Sequence, residues 1–193
     1  IIMKDIINFL FEAGMLKKTP RSGYWFLGSG SESVAEHSFR TAITGYILAN
    51  QVTEADCRKT VLMCLFHDLH EARTGDQNYV NKRYNKIDEK AAVKDMLRDT
   101  PFKDEMESLI NEFNECRSIE ARLAKDADQI DLIMELKQQK DLGNKYAVEW
   151  LYFAQQRIIT ENGKNLVREI LETDSTDWWF DKKTDLWVND PQI

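Results

Sequence analysis

Apolar residues recur at helical spacing along nearly the whole chain, and a sequence patterned this way buries its apolar faces by packing helix on helix. The sequence therefore predicts an all-α fold. At roughly 150 residues per domain, a length of 193 residues fits one compact unit. Such a unit buries about 70% of its unfolded surface and needs no disulfide or structural-metal staple.

Turn and cap signals divide the pattern. Ile2, Ile6, Ile7, Leu10 and Phe11 predict a first helix, with Gly14 placed for a left-handed C-cap. Residues 17–33 read as a loop, Thr19-Pro20-Arg21-Ser22-Gly23 followed by Gly28-Ser29-Gly30-Ser31, and loops of that length are disproportionately functional. Ser33-Val34-Ala35-Glu36 is a capping box, so a helix starts at Val34 and runs through Ala42, Ile43 and Ile47 to about Asn50. Thr53 caps the next, with Glu54 and Asp56 in its first turn. Val61, Leu62, Leu65, Phe66 and Leu69 make that helix apolar on most sides and hence central, until Thr74-Gly75-Asp76 ends it.

Further along, a loop to about Lys86 precedes a polar helix over 87–98 and a helix with Pro101 in its first turn reaching Phe113. A long helix over 118–141 closes at Gly143. Asn144 caps another that carries Val148, Trp150, Leu151 and Phe153, and a short helix spans 165–172. From Thr173 the text changes: Trp178, Trp179, Phe180, Trp187 and Val188 crowd a stretch with little helical period. The expected organisation is a helical domain over 1–172 and an irregular Trp-rich C-terminal tail over 173–193, as a hairpin around Asp181 to Thr184 or as an arm. Those tryptophans call for cover by this domain or by a partner subunit.

Charge and cysteine usage exclude several function classes. Twenty-six basic and 33 acidic side chains give a net charge of −7, which argues against a counterion-release grip on duplex nucleic acid. Three widely spaced cysteines, Cys57, Cys64 and Cys116, with no CxxC pair, describe neither a disulfide framework nor a thiolate zinc site. They read as free thiols of a reducing compartment, with Cys57 and Cys64 buried. No apolar run approaches the roughly 20 residues that span a bilayer, and no cleavage site follows the apolar start. The expectation is a soluble cytoplasmic protein without a membrane partner.

Only three histidines are present, His37, His67 and His70, so mechanisms that need four or more imidazoles are excluded. His67-Asp68, near the end of a central helix, is the sharpest local feature, because an aspartate there is rarely buried unpaired. Glu71 follows His67 by four residues, on the same helix face. With His37 one turn inside the capped helix, this mixture of imidazole and carboxylate suits a first-row divalent metal such as Mn, Fe, Co, Ni or Zn better than calcium. Lys125-Asp126-Ala127-Asp128-Gln129-Ile130-Asp131 offers a further ligand from another helix. At about 100° per residue, Asp126, Asp128 and Asp131 flank Ala127 on either side, and periodicity does not choose among them.

The order His…His-Asp…Asp resembles the signature of the HD-domain metal-dependent phosphohydrolases, and the flanking text is similar to their 5′-deoxynucleotidase-like branch. The matching pieces are Leu16-Lys17 with Pro20-Arg21-Ser22-Gly23; Glu32-Ser33-Val34-Ala35-Glu36-His37-Ser38 with Arg40; His67-Asp68-Leu69, Glu71-Ala72 and Gly75-Asp76; and Lys125-Asp126-Ala127-Asp128. The resemblance implies a single-domain HD-type helical bundle and one divalent metal, Mn, Co, Ni, Fe or Zn with Mg also compatible, held by His37, His67, Asp68 and Asp128. It implies that Glu71 and Asp76 are catalytic carboxylates and that Arg21 lies near substrate phosphate or sugar, and by its chemistry Asp68, ionised beside the cation, can orient the attacking water. The implied substrate is a (deoxy)nucleoside 5′-monophosphate, and the implied assembly a homodimer, for which the helix around Tyr146, Trp150 and Tyr152 and the Trp-rich tail are candidate surfaces.

Elementary chemistry fits these roles. A cation acidifies a bound water from a pKa of 15.7 to about 7, Glu71 or Asp76 can pass a proton to the leaving oxygen, and Arg21 can fork onto a phosphate. Lys125 and His70 are further substrate-binding candidates. His70 stands where many relatives carry a small or apolar residue, and Gln77-Asn78-Tyr79-Val80-Asn81-Lys82 replaces a proline-bearing continuation after Gly75-Asp76. The alternatives are a metal-stabilised nucleotide-binding or scaffold module without turnover and, among enzymes, a triphosphohydrolase, disfavoured because Arg21, Arg40, Arg73, Lys82 and Arg83 are few cations for three phosphates.

Overall fold

A computed structural model describes residues 2–180 and 183–184. Among these residues the fold is all-α, with eleven α-helices, no strand and one isolated bridge from Pro20 to Ser33. Helix α1 (Ile2–Ala13) passes directly into a 3-10 turn, Gly14–Lys17. Gly14 is not left-handed, because buried Leu16 draws the chain onward into a cluster with Val34 and Leu69. A short helix, α2 (Tyr24–Leu27), interrupts the expected loop; Tyr24 and Leu27 are buried, and Gly28 closes it at φ 72°.

Helix α3 (Val34–Ala49) opens with the expected capping box: Glu36 N–H donates to the Ser33 hydroxyl, and the Glu36 carboxylate accepts from Ser33 N–H. Helix α4 (Cys57–Phe66) is capped by Asp56, not Thr53. The Asp56 N–H is held by Glu120 at 3.0 Å, which leaves the preceding residues as a turn. The expected continuous helix to Thr74 is broken after Phe66 and resumes as α5 (Glu71–Thr74). A local cause is visible: His67 Nδ1 donates to the Cys64 carbonyl at 2.8 Å, taking the acceptor that the Asp68 N–H would use in an unbroken helix.

Asn78 caps α6 (Tyr79–Tyr84), a helix not expected there, and Asp88 caps α7 (Glu89–Met96). Helix α8 (Lys103–Glu115) ends at Cys116 in the left-handed region. The long α9 (Ile119–Asp141) has Ser118 as N-cap, with Gly143 at φ 92° just beyond its end. Asn144 caps α10 (Lys145–Ala154), and α11 (Glu161–Glu172) begins four residues before the expected 165, with Thr160 as its cap.

Helix α9 is the axis of the fold, packed on α3, α4, α8, α10 and α11. Leu123, Ile130, Ile133 and Leu136 have no exposed surface, and Ala121, Ala124 and Ala127 let the neighbouring helices approach. Gly45 permits the closest such contact, because a Cβ there would stand 2.5 Å from Cys64 Sγ. A second cluster, with Leu69, Met96, Leu97 and Ile110, lies under α7 and α8.

All three thiols are free; Cys64 is buried, whereas Cys57 is only half-buried. Among the described residues no helix is long and apolar enough to cross a membrane. Beyond α11 the described chain is turn-like, and Trp178 is 86% exposed, so the domain's described surface does not provide the cover expected for it. Trp187, Val188 and, of the expected hairpin, Asp181 and Lys182 lie outside the described residues, whereas Lys183 and Thr184 are described.

Candidate metal centre

Two helices and the turn between α4 and α5 bring the sequence-predicted ligands together. The capping box fixes the start of α3 and sets His37 one turn inside it; the break after α4 turns His67 and Asp68 inward; α9 supplies Asp128. His37 Nε2 lies 3.4 Å from His67 Nε2, 3.3 Å from Asp128 Oδ1 and 3.7 Å from Asp68 Oδ2. His67 Nε2 lies 3.1 Å from Asp68 Oδ2 and 3.9 Å from Asp128 Oδ1.

Both imidazoles are oriented from behind. His37 Nδ1 meets Asp131 Oδ2 at 2.6 Å, and His67 Nδ1 meets a carbonyl, which only accepts. Each Nε2 is thereby left facing the centre, the arrangement usual for metal-bound histidine. Asp128 is held likewise: Gln129 donates to its Oδ2 at 3.1 Å while Oδ1 faces His37.

The three carboxylates of α9 have separate fates. Asp128 faces the centre. Asp131 is fully buried behind His37, and Asp126 is fully buried against the start of α11, accepting from Ile159 N–H, Thr160 N–H and the Thr160 hydroxyl. Neither of the latter two is a solvated surface group.

Arg21 reaches the same point from the loop before α2. Its Nη1 lies 3.4 Å from Asp68 Oδ2 and 3.6 Å from Asp76 Oδ1. Asp76 Oδ2 accepts from the Ser22 N–H and hydroxyl at 2.7 and 2.6 Å, so Asp76 clasps the Arg21 segment to the end of α5. Glu71 is buried and its Oε2 has no hydrogen-bond partner.

The electrostatics follow from this crowding. Burial, then Asp68 and Asp76, push the Glu71 carboxyl up to about 9. Burial opposes ionisation of Asp68 and Asp128, yet the two imidazoles hold both well below the usual carboxylate range. Burial and Arg21 also oppose charge on His37, but Asp128 and Asp131 outweigh them and raise it to about 10. The donor set fits a divalent transition cation: ligand atoms about 2.0–2.2 Å from one ion lie within about 4.4 Å of each other, and His37, His67 and Asp128 do so, with Asp68 Oδ2 within 3.7 Å of both imidazoles. The half-buried Asp68 and Asp128 carboxylates, both facing the two imidazoles, favour such a cation.

Asp68, Glu71 and Asp128 line a cavity of about 800 Å³. Phe26, Trp150 and Phe153 form apolar wall, and Arg21, Lys82 and Arg157 are its cationic lining. Trp150 thus belongs to the cavity, whereas Tyr146 and Tyr152 on the same helix are exposed.

Two candidates do not join the site. The Lys125 ammonium rests 3.7 Å above the Phe113 ring, outside the cavity lining. His70 turns its Nε2 toward Glu89, 3.8 Å away, and lines a separate recess of about 210 Å³ with Val93, Glu107 and Ile110. One of its ring nitrogens is still within 4.8 Å of oxygens of Asp68 and Glu71.

Glu32, Tyr24 and Glu135, to which the sequence motifs assign no role, also line the cavity, and Arg40, counted among the cations available to phosphate, instead binds Asp131 and Glu135. Burial and the neighbouring Asp131 and Glu135 raise Glu32 to about 7. The available signal was spacing: Arg40 follows His37, and Asp131 follows Asp128, by three residues.

Comparison with known proteins agrees with this geometry. Residues 13–167 match the HD domain family. Among curated proteins, 5′-deoxynucleotidase HDDC2 of Bos taurus is 28% identical over 148 residues, 74% of this chain and 71% of that protein. The Homo sapiens protein of the same name is 27% identical over 148 residues, covering 74% and 72%. Among solved structures, a conserved hypothetical protein from Pyrococcus furiosus superposes with a TM-score of 0.75 at 28% identity, covering 86% of this chain and 99% of that one. With the family match spanning most of the helical region and the His…His-Asp…Asp residues gathered at one point, the chain belongs to the HD domain family.

Proposed function

We propose that this chain is a metal-dependent phosphohydrolase that converts (deoxy)nucleoside 5′-monophosphates to nucleoside and phosphate. One observation carries the reading: two imidazoles and two carboxylates, from α3, α9 and the turn after α4, face one point in the wall of a large cavity that also presents an arginine. The names of the curated relatives point to the same chemistry.

His37, His67, Asp68 and Asp128 would hold one divalent cation, from Mn, Co, Ni, Fe and Zn, with Mg also compatible. When bound, the cation supplies Lewis acidity and an acidified water. Arg21, clasped by Asp76, directs its donors at the phosphate. Asp68 orients the water. Glu71, whose environment favours a retained proton, delivers one to the leaving 5′-oxygen, while Asp76 serves mainly to fix Arg21. Phe26, Trp150 and Phe153 offer apolar surface to the nucleoside. The net charge of −7 repels phosphate at long range, so a few local cations must hold it, which favours a monophosphate over a triphosphate.

The working assembly is a homodimer that uses the exposed aromatics of α10 and the exposed Trp178 of the tail. Its free thiols support a reducing compartment, the cytoplasm, as its location. The test is phosphate release from a panel including dAMP and dTMP, by protein stripped of metal and reloaded with Mn or Co. Release that depends on the metal is expected; no phosphate from any nucleotide or generic phosphoester with any divalent metal overturns the reading.

A further inference from the structure

Behind the metal centre, α3 and α9 interlock through two pairs of side chains at the same spacing. On α3 they are His37 and Arg40; on α9, Asp128 and Asp131. At the front His37 Nε2 faces Asp128 Oδ1 at 3.3 Å, and one turn back Arg40 Nε donates to Asp131 Oδ1 at 2.5 Å. The diagonal joins the pairs, His37 Nδ1 to Asp131 Oδ2 at 2.6 Å. Asp131 and His37 have no exposed surface at all, so each Asp131 oxygen has one cationic or N–H partner and water serves neither.

Arg40 is itself held on its far side. Its Nη2 donates to Glu135 Oε1 and to the Asp131 carbonyl, and Glu135 Oε2 accepts from the Tyr24 hydroxyl at 2.7 Å. The guanidinium is thus held between Asp131 and Glu135, and Asp131 in turn holds the His37 ring. A carboxylate behind an imidazole does more than orient it: its charge makes the far nitrogen a stronger donor to a cation. A neutral residue of the same shape would fill the space without that effect.

We propose that Asp131 and Arg40 are positioning residues: together they aim His37 at the cation and set how tightly the cation is held. The proposal rests on the metal-centre reading above.

The experiment uses the full chain, stripped with chelator and titrated with Co(II), followed by calorimetry and by the visible absorption of the bound ion. The native chain is expected to take up one equivalent. Asp131→Asn keeps the volume and an acceptor for the His37 N–H but removes the charge. It is expected to weaken Co(II) binding by about 10–100-fold, the usual effect of losing a partner behind a metal ligand, and to shift the absorption bands. Arg40→Lys keeps the charge but cannot serve Asp131 and Glu135 as a fork; a smaller loss in the same direction is expected.

If the native chain takes up no metal, the metal-centre reading falls and the proposal with it. If it takes up one equivalent and Asp131→Asn lowers only the melting temperature, with unchanged affinity and spectrum, the proposal alone is overturned. Should Asp131→Asn fail to fold, Arg40→Lys decides between the same two outcomes.

Discussion

Asp126 and Asp131 lie five residues apart on α9 and neither has exposed surface, yet their surroundings differ in kind. Asp126 is satisfied by two backbone N–H groups and one hydroxyl where the chain turns into α11. Gly163 completes that niche, since a Cβ there would stand 2.5 Å from Asp126 Oδ2. Asp131, and Asp128 one turn before it, face an imidazole and a guanidinium. Neutral donors fixed by the backbone make a carboxylate into a fastener. Titratable donors that converge on an open centre make it part of a site. Burial alone does not tell the two apart; the partners do.

The contrast can be broken from either end. The largest effect is expected at the centre: Asp128→Asn removes a ligand, so metal affinity should fall by more than the ~100-fold that outer partners cost, and phosphate release should drop to the level of metal-free protein. Folding should persist, as a denaturation curve would show. Asp126→Ala should do the reverse. It strands two backbone N–H groups and a hydroxyl at the start of α11, a loss of about 3 kcal/mol at 1–3 kcal/mol for each buried unsatisfied group after partial relaxation. A urea titration should register it while Co(II) affinity stays native. Loss of metal binding by a folded Asp126→Ala protein would erase the distinction.

The smallest and broadest effect is on pH dependence. In metal-free protein Glu71 is raised from 4.5 to about 9, so the folded state keeps a proton that the unfolded chain has released. Stability should therefore fall as pH rises from about 5 to 9. His37, raised from 6.5 to about 10, has the same sign: its contribution is complete below 6.5 and is lost as pH approaches 10. Melting temperatures in chelator across this window should decline, and saturating cation should flatten the slope by competing for the same donors. A flat or rising profile without metal would contradict the electrostatic picture of the centre.

Much of this was legible in the sequence because it depends on local spacing. The box Ser33–Glu36 fixes where α3 starts, and hence which way His37 points; Ser118 and Asn144 fix α9 and α10 in the same manner. The order His37, His67-Asp68, Asp128 carried the resemblance. What local spacing missed was settled by distant partners. Glu120 holds the Asp56 N–H and shifts the α4 cap from Thr53. Asp126 organises the start of α11 from 33 and 34 residues away. The three aspartates of one short run were indistinguishable until α3, the cavity and α11 were placed around them. Lys125 looked like a phosphate ligand by its neighbours in sequence, and an aromatic face claims it in space.

The segment that carries Arg21 has a different lesson. Its ends are tied by Val34 N–H to the Thr19 carbonyl and by Arg21 N–H to the Glu32 carbonyl. Its middle is pinned by Asn144 to the Leu27 carbonyl and by Ser29 to Gln139, and its front by the Asp76 clasp. A stretch this long ordinarily has freedom to lose when a ligand arrives. Here most of that freedom is lost once, at folding, and not at every binding event. The Arg21-bearing edge of the cavity is therefore set in place when the chain folds, before any ligand arrives.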